Sequence, residues 1–263
     1  MLRVEHLKKT YGEGGDAVEA IGDLSFEVGQ NEFLCVVGPS GCGKTTLLKC
    51  MSGLLAPTAG DVYLHGAPIE GPPERMALVF QEYGRSLFPW MSVRQNVAFP
   101  LRRKKLDKSE ARELVESAIE AVQLTFFLDR YPWELSGGMQ QRVAIARALA
   151  YQPEILLMDE PFASVDAQTR SDLEDLILEV RQEFGITVLF VTHDIDESIY
   201  LGDRIVVLTP APTELQQIHD VDLPKPRDQV ETKGLLEFAD LRAQVYRSIK
   251  RKQGAADRLL RPR

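Results

Sequence analysis

Short apolar runs alternate along this chain with segments of helical spacing. The segment Glu32 to Val37 is one such run; glycines follow it, and then Leu47, Leu48, Met51, Leu54 and Leu55 recur on one helical face, so the stretch reads strand, loop, helix. Met76 to Gln81 reads as a second buried strand. It leads into Phe88-Pro89-Trp90-Met91-Ser92-Val93, and from about Val93 to Leu128 the period turns helical, with Val115, Ala118, Ile119 and Val122 on one side. After Ser136 a helix carries Val143, Ala144, Ala146, Ala148 and Leu149. Ile155-Leu156-Leu157-Met158 then runs apolar without polar alternation, as a strand covered on both faces does. Thr187 to Thr192 and Arg204 to Leu208 repeat that pattern. Between these strands Leu173 to Phe184 and Asp196 to Leu201 are helically spaced, so strands and helices alternate and a parallel sheet is expected. Proline and charge dominate from Pro210 to about Lys233, and Leu235 to Ile249 reads as an amphipathic helix.

A length of 263 residues accommodates one sizeable α/β domain, or a core carrying a smaller insert, and excludes a repeat array. With 44% apolar and 27% charged residues, the chain has enough apolar surface to pack a core. The 31 basic against 39 acidic residues leave a formal charge of −8, which disfavours broad electrostatic capture of nucleic acid. Arg102-Arg103-Lys104-Lys105, and Arg247, Lys250, Arg251, Lys252, Arg258, Arg261 and Arg263, read as solvated surface in that acidic background. The first residues lack the apolar core of a signal peptide, and no stretch stays apolar over the ~18 residues a bilayer span needs, so neither export nor membrane spanning is expected. Cys35, Cys42 and Cys50 crowd near one end without metal-ligand spacing, which suits a reducing compartment.

The chemistry begins at Gly38-Pro39-Ser40-Gly41-Cys42-Gly43-Lys44-Thr45, which fits G-x-x-x-x-G-K-[ST] directly between one expected strand and one expected helix. Glycines let successive backbone N–H groups turn inward on a polyphosphate, the helix N-terminus adds partial positive charge, and Lys44 places a full charge on the outer phosphates. The Thr45 hydroxyl suits Mg²⁺. Cys42 reads as a small filler inside the loop.

Asp159 and Glu160 close the apolar run that starts at Ile155. Because side chains alternate along a strand, the two carboxylates are expected to serve different purposes, Asp159 orienting Mg²⁺ or water and Glu160 facing the attacking water. His193, after Thr187 to Thr192, points an imidazole toward the strand ends, where open α/β sheets gather ligands. His6, His65 and His219 read as structural. Ser136, at a helix start and followed by Gly137 and Gly138, offers a hydroxyl and unobstructed N–H groups to an anion, which is a helix cap and a phosphate site in one geometry.

Leu135-Ser136-Gly137-Gly138-Met139-Gln140-Gln141-Arg142 resembles the signature sequence of the ATP-binding-cassette family. With the other motifs, the resemblance spans roughly residues 3 to 210 in the family's usual order. It implies an α/β fold: a P-loop NTPase (RecA-like) core with a mostly parallel sheet, an N-terminal antiparallel β portion and an inserted helical subdomain. The implied organisation is a nucleotide-binding core of residues 1–81 and 139–215, a helical signature subdomain of residues 82–138, and a C-terminal tail of residues 216–263 with one helix. It further implies ATP and Mg²⁺ as ligands and a homodimer in which Ser136, Gly137, Gly138 and Gln140 of one copy close on ATP held by the partner's phosphate loop, Thr46 included. Tyr11 is similar to the aromatic that stacks on adenine, Gln81 to the glutamine that links Mg²⁺ and water to a permease, and Asp166 to the intersubunit aspartate. Phe88 to Val97 and Phe162 to Asp166 are similar to the importer branch handling nitrate, sulfonates and taurine. The implied partners are transmembrane permease subunits, which supply the only membrane contact, and a solute-binding protein acting through them, with the chain peripheral on the cytoplasmic face. The alternative is a soluble cassette using ATP as a switch without a transport partner; a phosphate-loop kinase would not account for Leu135 to Arg142.

Overall fold

The computed structural model describes residues 1–81 and 83–259; Arg261 and Arg263 of the basic tail lie outside the described residues. No helix among them is long and apolar enough to cross a membrane. In chain order the principal elements are β1 (Leu2–Tyr11), β2 (Val18–Val28), β3 (Phe33–Val37), α1 (Lys44–Met51), β4 (Ala59–Leu64), β5 (Ala67–Pro68), β6 (Met76–Val79), α2 (Tyr83–Ser86), α3 (Val93–Ala98), α4 (Lys108–Ala121), α5 (Gly137–Ala150), β7 (Ile155–Asp159), α6 (Ala167–Phe184), β8 (Thr187–Thr192), α7 (Ile195–Leu201), β9 (Arg204–Leu208), β10 (Thr213–Asp220) and α8 (Leu236–Leu259). Alternation of β3, β7, β8 and β9 with helices is the expected α/β pattern.

Two compact units emerge: residues 1–73 with 187–263, and residues 74–186. In the first unit the strands lie in the order β5-β4-β1-β2-β10-β9-β3-β8. The β1, β2, β4 and β5 pairings are antiparallel, whereas β3 pairs in parallel with both β8 and β9. Every residue of β3 and of β8 is buried, which is why these strands read as unbroken apolar runs. Phe33 and Phe190 meet across them with ring centres 5.9 Å apart. The expected tail boundary at residue 216 falls inside β10, which sits between β2 and β9. Leu215-Gln216-Gln217 lacks apolar alternation, so this strand is invisible to hydrophobic pattern. Burial instead concentrates at its ends, in Thr213 and His219. Burial lowers the His219 pKa, and its Nε2 lies 3.1 Å from Ser248 Oγ on α8, in keeping with a structural role.

In the second unit β6 and β7 pair in parallel, and α5 packs on β6, α3 and α4. Compactness therefore draws its boundaries elsewhere than at residues 82 and 138, because α5 is packed at once on the strand and on the helical segment. The helices start as their sequences dictate. Asp107 caps α4 by accepting from Ser109 N and Glu110 N, while Glu110 returns a bond to Asp107 N; Ser92 and Gln95 make the same reciprocal box at α3. Lys104 donates to Tyr151 O and lies 4.2 Å from that ring's centre, and Arg102 covers Phe99, so part of the basic run is tied into local packing.

Asn96 holds the turn that carries the aromatic segment. It is fully buried; its Oδ1 accepts from Phe88 N at 2.9 Å, and its Nδ2 donates to Phe88 O, Met91 O and Ser92 O at 3.1, 2.9 and 3.1 Å. Asn96→Ala strands a buried N–H and leaves carbonyls without this donor, so it is expected to destabilise by about 2–4 kcal/mol. Urea unfolding followed by circular dichroism measures this, and a loss below about 0.5 kcal/mol would show that the network contributes little.

Candidate functional site

In the first unit, Val37 at the end of β3 is paired with Thr192 at the end of β8, so the phosphate loop and His193 leave adjacent parallel strands at the same edge. The loop is shaped by space as much as by sequence. Gly41 and Gly43 have φ of 75° and 98°, a conformation that side chains resist. A Cβ at Gly43 would come within 3.1 Å of Ala20 O and 3.2 Å of Thr213 Oγ1. At Gly38 it would meet the Cys42 sulfur at 2.9 Å, so Cys42 fills the loop from inside and is buried, as expected.

Lys44 is only 6% exposed, and its ammonium donates to Gly38 O at 3.0 Å and Pro39 O at 3.2 Å. The loop is thereby wrapped round its own cation. Gly43, without a side-chain cap bond, precedes α1, whose first N–H groups belong to Lys44, Thr45 and Thr46. Ser40 and Thr45 are exposed. These amides, with one ammonium and hydroxyl groups, are the donor types that a polyphosphate takes. Tyr11 stands beside them: its hydroxyl is 3.2 Å from Thr46 Oγ1, and the residue is 43% exposed.

His193 is exposed on a turn fixed from both sides. Asp194 N donates to Thr192 Oγ1 at 3.0 Å, Asp194 caps α7, and Thr192 Oγ1 donates to the buried Glu197. Asp194 ahead of an acidic first turn carries a cap signal in the sequence, whereas Thr192, Glu197 and Thr213 act through contacts that no sequence pattern marks.

In the second unit, Val79 is paired with Met158, so Gln81 and the Asp159-Glu160 pair leave adjacent strands at one edge. Asp159 ends β7 and is buried; Glu160 lies beyond the strand with φ 42°, a left-handed conformation rare outside glycine. The backbone therefore turns between the two acids, after Asp159 and at Glu160. Gln81 is exposed just past β6, which ends at Val79.

Ser136 caps α5, its Oγ accepting from Met139 N at 3.3 Å. Gly137 begins the helix and Gly138 is pressed on α6: a Cβ there would lie 2.3 Å from Thr169 Cγ2. Thr169 in turn donates from N and Oγ1 to Asp166 at 3.0 and 2.7 Å, bonds that hold the Asp166 pKa below its usual value. Gln140 donates to Pro132 O at 2.9 Å and Leu135 O at 3.3 Å, so its amide nitrogen braces the segment ahead of the helix.

The same unit holds a cleft of about 340 Å³ lined by Met76, Leu78, Phe88, Phe99, Tyr151 and Arg147. Burial lowers the Arg147 pKa, and the guanidinium donates to Ser86 O at 2.6 Å and Ser86 Oγ at 2.9 Å. Phe88 packs 5.6 Å from Trp90, which is 67% exposed.

Residues 21–163, more than half of the chain, match the model of the ABC transporter family. The chain is 46% identical over 228 residues to the aliphatic sulfonates import ATP-binding protein of Bacillus licheniformis, covering 87% of this chain and 88% of that protein. It is 43% identical over 248 residues to the nitrate import ATP-binding protein NrtD of Synechococcus elongatus, covering 93% and 89%. Among solved structures, a dimeric post-hydrolysis state of the ATP-binding cassette MJ0796 bound to ADP and phosphate superposes with a TM-score of 0.72 at 31% identity, covering 84% of this chain and 99% of that one. With its phosphate loop, its helix-capping serine and glycines and its strand-end acids, the chain belongs to the ABC transporter family and is an ATP-hydrolysing cassette.

Proposed function

We propose that this chain is the ATPase subunit of an importer for a small anionic or zwitterionic solute of the nitrate, sulfonate or taurine kind. Two copies work at the cytoplasmic face of a membrane beneath a separate permease, which a solute-binding protein loads. The observation that carries the reading is the loop from Gly38 to Thr46, closed round the buried Lys44 and without room for side chains at Gly38 and Gly43. The names of the nitrate and sulfonate relatives support the solute class. No feature of the described residues favours a switch that lacks a transport partner.

Lys44 and the first amides of α1 bind the phosphates, and Tyr11 stacks on the base. The family resemblance assigns Mg²⁺ to Thr45, Gln81 and Asp159, each of which offers an oxygen donor of the kind a hard divalent cation takes; Mg²⁺, when bound, would neutralise phosphate charge. Glu160 accepts the proton of the water that attacks the γ-phosphorus, and His193 donates a hydrogen bond to the charge developing on the phosphoryl oxygens. Ser136 and the amides of Gly137 and Gly138 of one copy close on the nucleotide of the other, with Asp166 bonding across the pair. In this reading residues 82–138 carry the closing end, and residues 1–81 and 139–215 hold the nucleotide. The cleft lined by Phe88, Phe99 and Arg147, with Gln81 nearby in sequence, takes a permease helix.

Glu160→Gln is expected to lower ATP turnover about 10²- to 10⁴-fold while retaining ATP and accumulating a dimer on a sizing column; unchanged turnover removes Glu160 from the chemistry. Lys44→Ala should weaken nucleotide binding about 10- to 100-fold in a calorimetric titration, the scale of a lost charge-assisted bond, and wild-type affinity would contradict its assignment. Ser136→Arg and Lys44→Ala chains, each inactive alone, should recover hydrolysis when mixed, because one intact loop then meets one intact signature. Absence of recovery argues against paired sites.

A further inference from the structure

Directly ahead of the capping serine, the chain displays an aromatic surface to which no role has been assigned. Trp133 is 66% exposed and lies flat on Tyr131, with ring centres 4.7 Å apart and planes 9° from parallel. Three other aromatic pairs, Phe33 with Phe190, Phe88 with Trp90 and Phe88 with Phe99, are tilted by 44° to 49°. A tilted pair presents an edge, whereas a parallel pair leaves a whole ring face ready for a third flat ring.

The platform is held in place. Tyr131 N donates to Glu134 Oε2 at 2.8 Å, Glu134 N donates to Tyr131 O at 2.9 Å, and Arg130 pairs with Glu134 at 2.7 Å. Gln140, one turn into α5, fastens the same segment through Pro132 O and Leu135 O. The indole is therefore oriented before any ligand arrives, which lowers the cost of stacking.

We infer that Trp133 of one copy stacks on the base of the nucleotide held by the phosphate loop of the other, so that the base is gripped between Tyr11 of one chain and Trp133 of its partner. The inference rests on the reading that the Ser136 end closes on a partner's nucleotide. Trp133 lies three residues before Ser136, and three residues of chain reach at most about 10–11 Å, the scale that separates a nucleotide's terminal phosphate from its base. The free face of the indole needs a flat apolar partner, and the adenine base is the flat ring that accompanies the phosphates. Trp133 then acts on pairing and on base selectivity, and leaves the chemistry at phosphorus to Glu160.

The chain has two tryptophans, Trp90 and Trp133, so Trp90→Phe isolates the emission of Trp133. In the Trp90→Phe, Glu160→Gln chain, ATP should quench or shift that emission only at protein concentrations where dimers appear on a sizing column. The decisive arm mixes two chains. One carries Trp90→Phe with Lys44→Ala and keeps Trp133; the other carries Trp90→Phe, Trp133→Phe and Glu160→Gln with an intact loop. Emission should still respond to ATP, because the base lies in the other chain's loop.

For hydrolysis, Trp133→Ala should raise the KM for ATP about 5- to 100-fold, the range that base–aromatic stacking commands, with kcat at saturation nearly unchanged. Trp133→Phe should restore most of the affinity, and ATP binding by dilute, unpaired chains should not change. A dimer that forms with ATP while Trp133 emission stays fixed overturns the inference and leaves the paired site standing; so does a Trp133→Ala chain that loses transport yet keeps its KM, which would give the platform to a protein partner. A Glu160→Gln chain that remains monomeric with ATP removes the paired site and this inference together.

Discussion

Absence of room at Gly43 is the constraint on which the phosphate site depends. The residue adopts φ 98° with Ala20 O and Thr213 Oγ1 at the limit of contact for any added carbon. Such a position fixes where α1 begins, and with it the direction of the first N–H groups and of Lys44. Two strands far apart in sequence supply the walls: Ala20 comes from β2 and Thr213 from the first position of β10. β10 pairs in parallel with β2 and antiparallel with β9, so one strand ties the N-terminal antiparallel portion to the parallel strands and at the same time shapes the loop. Burying the β3 backbone between β8 and β9 then leaves the loop as the first place where the chain can turn.

A comparable economy links the start of α5 to Asp166. Asp166 and Ser136 are both helix caps, and their helices touch at the first turn of each because Gly138 lets Thr169 approach. The hydroxyl of Thr169 binds Asp166 while its methyl packs on Gly138, so one side chain sets the spacing between two capped helix ends. A larger residue at Gly138 would displace α5 from α6 before it obstructed any ligand. Gly138 therefore serves the packing of α5 on α6.

The sequence made visible the features whose cause is local. Apolar runs marked β3, β7, β8 and β9 within a residue or so, and the glycine-lysine loop was legible because spacing alone specifies it. The start of α5 was legible because the capping Ser136 precedes a periodic stretch. Long-range causes were not legible. β10 is mostly polar and owes its place to pairing with two strands, so its final residues read as tail. Gln140 read as a ligand contact because it adjoins the signature, yet its amide nitrogen is spent on two backbone carbonyls. The wall that Thr213 forms against Gly43 leaves no trace in composition or period. Compactness also placed α5 with both β6 and the helical segment, where sequence had drawn a boundary at its start.

Glu160 gives the sharpest indication that side-chain chemistry has overruled backbone comfort. β7 is buried along its length, so Asp159 has no freedom to begin the turn. Pro161 follows Glu160 and disfavours the right-handed helical region for the residue before it. The turn falls on Glu160, in a left-handed conformation that costs a non-glycine residue of the order of 1–3 kcal/mol. Glycine would occupy this position without that penalty. A carboxylate thus stands where glycine would fit more easily, one residue past a second, buried carboxylate. The turn leaves Asp159 at the buried end of β7 and carries Glu160 beyond it, the separation called for by the proposed division between metal orientation and water activation.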